Sequence, residues 1–191
     1  MPNSDDLTFT VPRFLSFIDL AYLFEAAKVA DAHFESKLQA IDSIEKRNAV
    51  GNINATRQSL LRAVFISSYA ILEQNLDELA NMERAKNNIS IAPNDLRHRG
   101  VARSLAYANK VLGKTINKSA PPWSNILQLQ EVRNHLVHYG PEFASTKEHS
   151  ARYSRFKKID LISLRPAICF TIDQLENIFG VYTDCVEDYG K

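Results

Sequence analysis

Three residues within positions 124–141, SNILQLQEVRNHLVHYGP, have types and spacing that could do chemistry: Arg133, Asn134 and His138. Histidine switches protonation near neutral pH, whereas arginine stays charged and grips two phosphate oxygens at once. The combination suits phosphoester cleavage without a metal. One group manages the proton of a 2′-hydroxyl or a leaving group, and the other stabilises charge growing on a phosphorane. Each residue alone has a plainer reading. An arginine on an apolar arc can snorkel or form a structural ion pair, and a histidine in a last helical turn compensates the helix dipole.

The stretch itself predicts a helix with defined ends. Pro121 and Pro122 cannot continue a preceding helix, Ser124 is a suitable N-cap, Gly140 suits the left-handed C′ position and Pro141 stops propagation. With Arg133 at zero and about 100° per residue, Ile126, Leu129, Val132, Leu136 and Val137 fall between roughly −100° and +40°. Arg133 lies inside that apolar arc. Desolvating it without a partner costs several kcal/mol, so a carboxylate or a ligand must hold it. Glu73, Asp77 and Glu83 are the candidate carboxylates, each with a solvated position as the alternative. Asn134 and His138, four residues apart, are neighbours on one flank. His135, at about 200°, is expected on the solvated surface.

The R-x-x-x-x-H spacing from Arg133 to His138, with Asn134 directly after the arginine and a glycine soon after the histidine, resembles the signature of the HEPN superfamily. Two further stretches carry the resemblance. Leu72-Glu73-Gln74-Asn75-Leu76 looks like the early helix of such domains, and Pro122-Trp123 leads into an apolar helix as it does there. The resemblance covers roughly residues 59–188. It implies a small helical bundle acting as a metal-independent endoribonuclease of a toxin–antitoxin, abortive-infection or other antiphage-defence system. It also implies a homodimer, because one helix supplies a single histidine and family members pair two motifs across a shared cleft. The substrate would be RNA, a tRNA or an mRNA, with no cofactor and no metal. An antitoxin or another defence-system protein is the implied partner, and Glu73 becomes the first choice to pair with Arg133. In one branch of the family a tyrosine two residues after the histidine is modified by an antitoxin nucleotidyltransferase. Here that position is Gly140, which argues against that mode of control. The alternative reading is a non-catalytic HEPN-like module for dimerisation or for binding a nucleotide or protein partner. The presence of Arg133, Asn134 and His138 together favours the enzyme.

Composition narrows the remainder. With 191 residues and 45% hydrophobic content, the chain can bury a sizeable core. Its 23 basic and 22 acidic residues give a net charge of +1, so any RNA contact must be local. No phosphate-cradling glycine loop, H-E-x-x-H, C-x-x-C or G-x-S-x-G occurs, so Walker-type hydrolysis and metalloenzyme chemistry lack a motif. Cys169 and Cys185 sit on one expected amphipathic helix, about 24 Å apart, far beyond disulfide reach within that helix. Both read as core thiols of a reducing compartment. The start, MPNSDDLTFTVPRF, has no apolar run of signal-peptide type, and no window approaches a membrane span. The expected location is cytoplasmic.

The sequence predicts an all-α antiparallel bundle of four to five helices with an extended N-terminal arm. Residues 1–13 read as that arm, with Leu7, Phe9 and Val11 alternating against Thr8 and Thr10. A first helix follows to about residue 47, with Phe17, Ala21, Phe24, Phe34, Leu38 and Ile41 as its stripe, broken by Gly51 and Asn52. Residues 1–50 thus pack as arm and first helix on a HEPN-like bundle of residues 51–191, one domain overall. A core helix over residues 55–86 buries Leu61, Phe65, Leu72, Leu76 and Leu79, with Ser68 and Asn75 forming a polar layer beside them. A shorter helix over 95–112 turns Val101, Leu105, Ala108 and Leu112 inward and makes Arg97, His98, Arg99 and Arg103 a basic half; Gly113 caps it. Residues 142–160 are polar and aperiodic. Their Arg152, Arg155, Lys157 and Lys158, interleaved with Tyr153 and Phe156, are the best local candidates for RNA contact through phosphates and stacked bases. A flexible charged loop is the plain alternative. A last helix over 166–188 closes the bundle.

Overall fold

A computed structural model describes the backbone of residues 4–41 and 47–191, with side chains from residue 18 onward within those limits. The fold is an all-α helical bundle. Six α-helices occur among the described residues: α1 (Ser4–Gln39), α2 (Arg47–Lys86), α3 (Val101–Lys110), α4 (Trp123–Tyr139), α5 (Lys147–Phe156) and α6 (Ile172–Gly190). The only strands among them are β1 (Ser163–Leu164) and β2 (Ile168–Cys169), an antiparallel pair with Ser163 opposite Cys169. No helix among the described residues is long and apolar enough to cross a membrane.

Several boundaries differ from the sequence expectation. The extended arm is replaced by helix from Ser4 onward, while residues 1–3 lie outside the described residues. Ser4 followed by Asp5 and Asp6 is the composition that favours a helix start through capping and the dipole, and it outweighs a short alternation of apolar residues. Gly51 and Asn52 do not break a helix; they lie inside α2, which begins at Arg47. A glycine in a helix costs only about 1 kcal/mol relative to alanine, which a 40-residue helix absorbs. An additional helix, α5, occupies part of the stretch expected to be loop. Cys169 belongs to β2 rather than to the last helix, which starts at Ile172 behind a capping box: Gln174 N–H donates to Thr171 Oγ1 and Thr171 N–H to Gln174 Oε1. Both cysteines are free thiols, and burial pushes the Cys185 thiol up.

The chain divides into two compact units. The first comprises Met1–Leu20, Tyr69–Glu131 and Phe179–Lys191. Its core holds Leu72, Leu76, Val101, Leu105, Ile126 and Tyr182, all buried. Three large aromatic side chains there place their polar atom on a partner, which offsets the cost of burying it. Trp123 Nε1 donates to Asp188 Oδ2 at 2.8 Å, Tyr107 OH to the Ile91 carbonyl at 2.7 Å and Tyr189 OH to the Ser104 carbonyl at 3.3 Å.

Gly100 sets the entry to α3. Its backbone takes φ 58° and ψ −148°, a region that side-chain-bearing residues rarely adopt. A Cβ at this position would collide with the Glu73 carboxylate and lie 2.8 Å from Gln130 Nε2. Both obstacles are ends of flexible side chains and can yield, so the backbone conformation dominates. Gly100→Ala is expected to lower unfolding free energy by about 1–3 kcal/mol in urea titration. Most of that loss should persist in a Glu73→Ala background; its disappearance there would assign the cost to the collision instead.

The second unit comprises Ala21–Ser68 and Val132–Ile178. Leu61, Phe65, Val132, Ile168, Phe170 and Leu175 are buried in it, with Phe65 stacked on Phe170 at 4.8 Å between ring centroids. Gln58 on α2 clamps the backbone of Phe170 by donating to its carbonyl and accepting its N–H. Ile168 N–H donates to the Pro141 carbonyl at 2.9 Å, tying β2 to the chain just after α4. Asp31 on α1 and Arg57 on α2 form a bidentate pair at 2.6 and 2.9 Å, and the guanidinium also meets Glu35. The hydrogen bond to Asp31 holds Arg57 more firmly protonated against the cost of burial. Ser68, expected with Asn75 in a polar layer, is buried here, and Asn75 is buried in the first unit. Ser68 satisfies itself by donating to the Phe65 carbonyl.

Candidate functional site

Helix α4 carries the motif and ends as its sequence dictates. Gly140 adopts φ 79°, and its N–H closes the last turn on the Leu136 carbonyl at 3.2 Å. The helix starts at Trp123, so Ser124, expected as its N-cap, lies inside the first turn instead. Ile126, Leu129, Val132 and Leu136 are buried as expected. Val137 is not: it is 48% exposed, whereas His135, expected on the surface, is 1% exposed. The buried arc at the end of α4 is therefore rotated toward His135. The cause is α5, which covers the side of α4 on which His135 lies and was expected to be loop.

Arg133 is half-buried and donates from Nη1 to Asn134 Oδ1 at 3.0 Å. Asn134 and His138 are exposed. One turn separates them, so they share a flank of the helix with the arginine head held by the first of the pair. The His138 ring lies edge-on to Tyr139 at 6.4 Å, and Tyr139 is 52% exposed. The end of α4 thus presents an imidazole, an amide and a phenol to solvent beside an anchored guanidinium. Chemically that set can bind a phosphodiester and move a proton.

The carboxylates considered for Arg133 have neighbours of their own. Asp77 pairs with Arg103 and also accepts from Ser104 Oγ. Glu83 accepts from Asn87 at 3.3 Å. Glu73 stands in the first unit beside Gly100 and Gln130. The expected basic half of α3 does not form, because Arg97, His98 and Arg99 precede Gly100 and lie outside the helix, while Arg103 is spent on Asp77.

The expected RNA contacts divide in two. Arg152 is internal to the fold: Nη1 donates to His135 Nδ1 at 3.1 Å, Nη2 to Glu148 at 2.7 Å, and the guanidinium lies over the Tyr139 ring at 4.6 Å. Arg155, Lys157 and Lys158 are exposed at and just beyond the end of α5. The aromatic residues expected to stack on bases face the other way. Phe156 is 1% exposed, and Tyr153 packs edge-on against Phe143 at 5.1 Å.

His135 is the residue that sequence reasoning misplaced. It stacks on Phe143 at 4.5 Å and meets Phe156 edge-on at 5.6 Å. Desolvation pushes its pKa below 6.5, with Arg152 and His149 acting in the same direction and a hydrogen bond to the Glu142 carbonyl opposing them. A signal for this arrangement exists in the sequence. His149, Arg152, Tyr153 and Phe156 recur at helical spacing behind Thr146, a good N-cap, and that stripe is the face α5 buries.

Elsewhere, the first unit has an open groove of about 610 Å³ whose walls include His98, Leu105, Ile116 and Leu127. Asn109 holds the Ile116 backbone from both sides, and Asn117 accepts the Ser119 N–H, so these two amides build the groove's wall. Among the described residues, no three His, Cys, Asp or Glu side chains are grouped as metal ligands. Comparison with protein-family models, with curated proteins and with solved structures returned no match.

Proposed function

We propose that the chain is a metal-independent endoribonuclease, and that Arg133, Asn134 and His138 at the end of α4 carry the chemistry. The supporting observation is the shared presentation of these groups: an exposed imidazole and an exposed amide one turn apart, the amide holding the guanidinium at 3.0 Å. In this reading Arg133 binds the scissile phosphate and stabilises the phosphorane, and Asn134 fixes its fork. The 2′-oxygen attacks the adjacent phosphorus and gives up its proton, the bond to the 5′-oxygen breaks, and that oxygen takes a proton as it leaves. The products are a 2′,3′-cyclic phosphate and a 5′-hydroxyl. His138 acts as the base or the acid. Two copies of the chain in a homodimer would supply both, each from its own histidine. Arg155, Lys157 and Lys158 would contact flanking phosphates, so binding should weaken with salt. A cytoplasmic toxin or antiphage effector, held by an antitoxin or another defence-system protein, is the setting that fits this chemistry.

The test is incubation of total RNA and a tRNA pool with the purified protein in excess EDTA. Cleavage that survives chelation and leaves 2′,3′-cyclic phosphate ends is the expected result. Absence of cleavage by a folded, dimeric protein with no co-purified inhibitor would overturn it and favour a non-catalytic module for dimerisation or for binding a nucleotide or protein.

A further inference from the structure

His135 joins three consecutive segments of the chain: α4, the connection over residues 140–146, and α5. Both of its ring nitrogens are used. A carbonyl oxygen only accepts, so Nε2 must carry the hydrogen that it donates to Glu142 at 3.2 Å. A guanidinium only donates, so Nδ1 must offer its lone pair to Arg152 Nη1 at 3.1 Å. This fixes one neutral tautomer. Protonation at Nδ1 would set a donor against a donor and one cation against another inside a buried site.

We propose that His135 is a proton-operated latch, which clamps α5 and residues 140–146 onto the end of α4 when neutral and releases them when protonated. The groups facing it can be named for each element. From α5 come Arg152 and, edge-on at 5.5 Å, His149. Glu148 accepts from the other Nη of Arg152, and Tyr153 packs edge-on against Phe143. The connection contributes the Glu142 carbonyl and the Phe143 ring, and α4 contributes Tyr139, stacked on His135 at 5.5 Å. No carboxylate among these contacts His135 itself, so an imidazolium there would face Arg152 without compensation. His149 takes part in the same clamp, since its Nδ1 accepts the Ala144 N–H at 2.8 Å.

The sign follows from the lowered His135 pKa. The folded state binds this proton less readily than the unfolded chain. The clamp is therefore at full strength above the ordinary imidazole value of 6.5. It weakens as pH falls through that value toward the depressed one. The consequence is local, because only α5 and the connection hang on the ring.

The experiment is amide hydrogen exchange read by NMR and corrected for intrinsic rates, at about pH 7.5 and about pH 5.5. Protection of α5 amides should fall by at least about tenfold at the lower pH while α6 amides keep theirs, with the midpoint coinciding with titration of the His135 ring. His135→Phe keeps the aromatic packing but cannot be protonated, and its α5 should stay protected at both pH values. Arg152→Met covers the case in which His135→Phe misfolds. Without the guanidinium, which disfavours the charged ring, titration of His135 and the release coupled to it should move to higher pH. Equal α5 protection of the wild type at both pH values, or an unshifted midpoint in Arg152→Met, would overturn the proposal.

Discussion

His138→Ala is expected to reduce RNA cleavage by about two to four orders of magnitude, the range that a positioned acid–base group contributes. The same substitution should leave unfolding free energy within about 1 kcal/mol, since the side chain is exposed and its structural contribution is confined to the helix terminus. Loss of rate without loss of fold is what separates chemistry from packing at this position. Arg133 gives a second view of the same site. Arg133→Lys keeps the charge but loses the planar fork, so cleavage should fall substantially even though the phosphate still meets a cation. Arg133→Ala removes both and should also cost some stability, because the residue is half-buried. Asn134→Ala removes the acceptor at 3.0 Å that orients the guanidinium and should produce a milder loss than either. Single-turnover cleavage together with urea titration of each variant measures both quantities. A His138→Ala protein cleaving at the wild-type rate would remove His138 from the chemistry. Parallel losses of rate and stability would make it structural.

The end of α4 also shows what the sequence revealed and what it hid. The helix boundaries were legible because their signals are local: two prolines before it, then glycine and proline after it, act on the backbone wherever the helix is packed. The positions of Leu61, Phe65, Leu72 and Leu76 were legible for a related reason, since aliphatic residues at helical spacing have one low-energy place to go. α5 was hidden because its buried stripe consists of His149, Arg152, Tyr153 and Phe156, residues that a count of apolar side chains mostly passes over. Missing α5 then misplaced His135. The angle of about 200° assigned to it was geometrically sound, but whether that side meets water depends on a helix some ten residues further along the chain. Arg152 went astray for the same reason. A charged side chain whose guanidinium is engaged by a histidine, a glutamate and an aromatic face reads, in sequence alone, like its exposed neighbours Arg155 and Lys157. The break expected at Gly51 failed differently, since glycine lowers helix stability by a finite amount that neighbouring residues can outweigh.

A charge pair in the second unit carries the largest stability effect expected here. Arg57→Met should lower unfolding free energy by about 3–5 kcal/mol, the cost of leaving a buried charge without its partner. Asp31 is 8% exposed, and two of its hydrogen bonds come from Arg57, at 2.6 and 2.9 Å. Methionine fills a similar volume, so little of the loss would come from packing. The pair itself need not be strongly stabilising, because bringing both charges out of water offsets much of their attraction. The two statements are separable. Replacing both residues, as Asp31→Leu with Arg57→Met, should recover most or all of the loss, whereas independent contributions would add instead. Glu35, 47% exposed through its side chain, is the minor partner, and Glu35→Gln should cost well under about 1 kcal/mol. Urea titrations of the three variants at constant m decide the matter. A double variant as unstable as Arg57→Met alone would mean that the guanidinium stem, rather than the charge pair, holds α2 against α1.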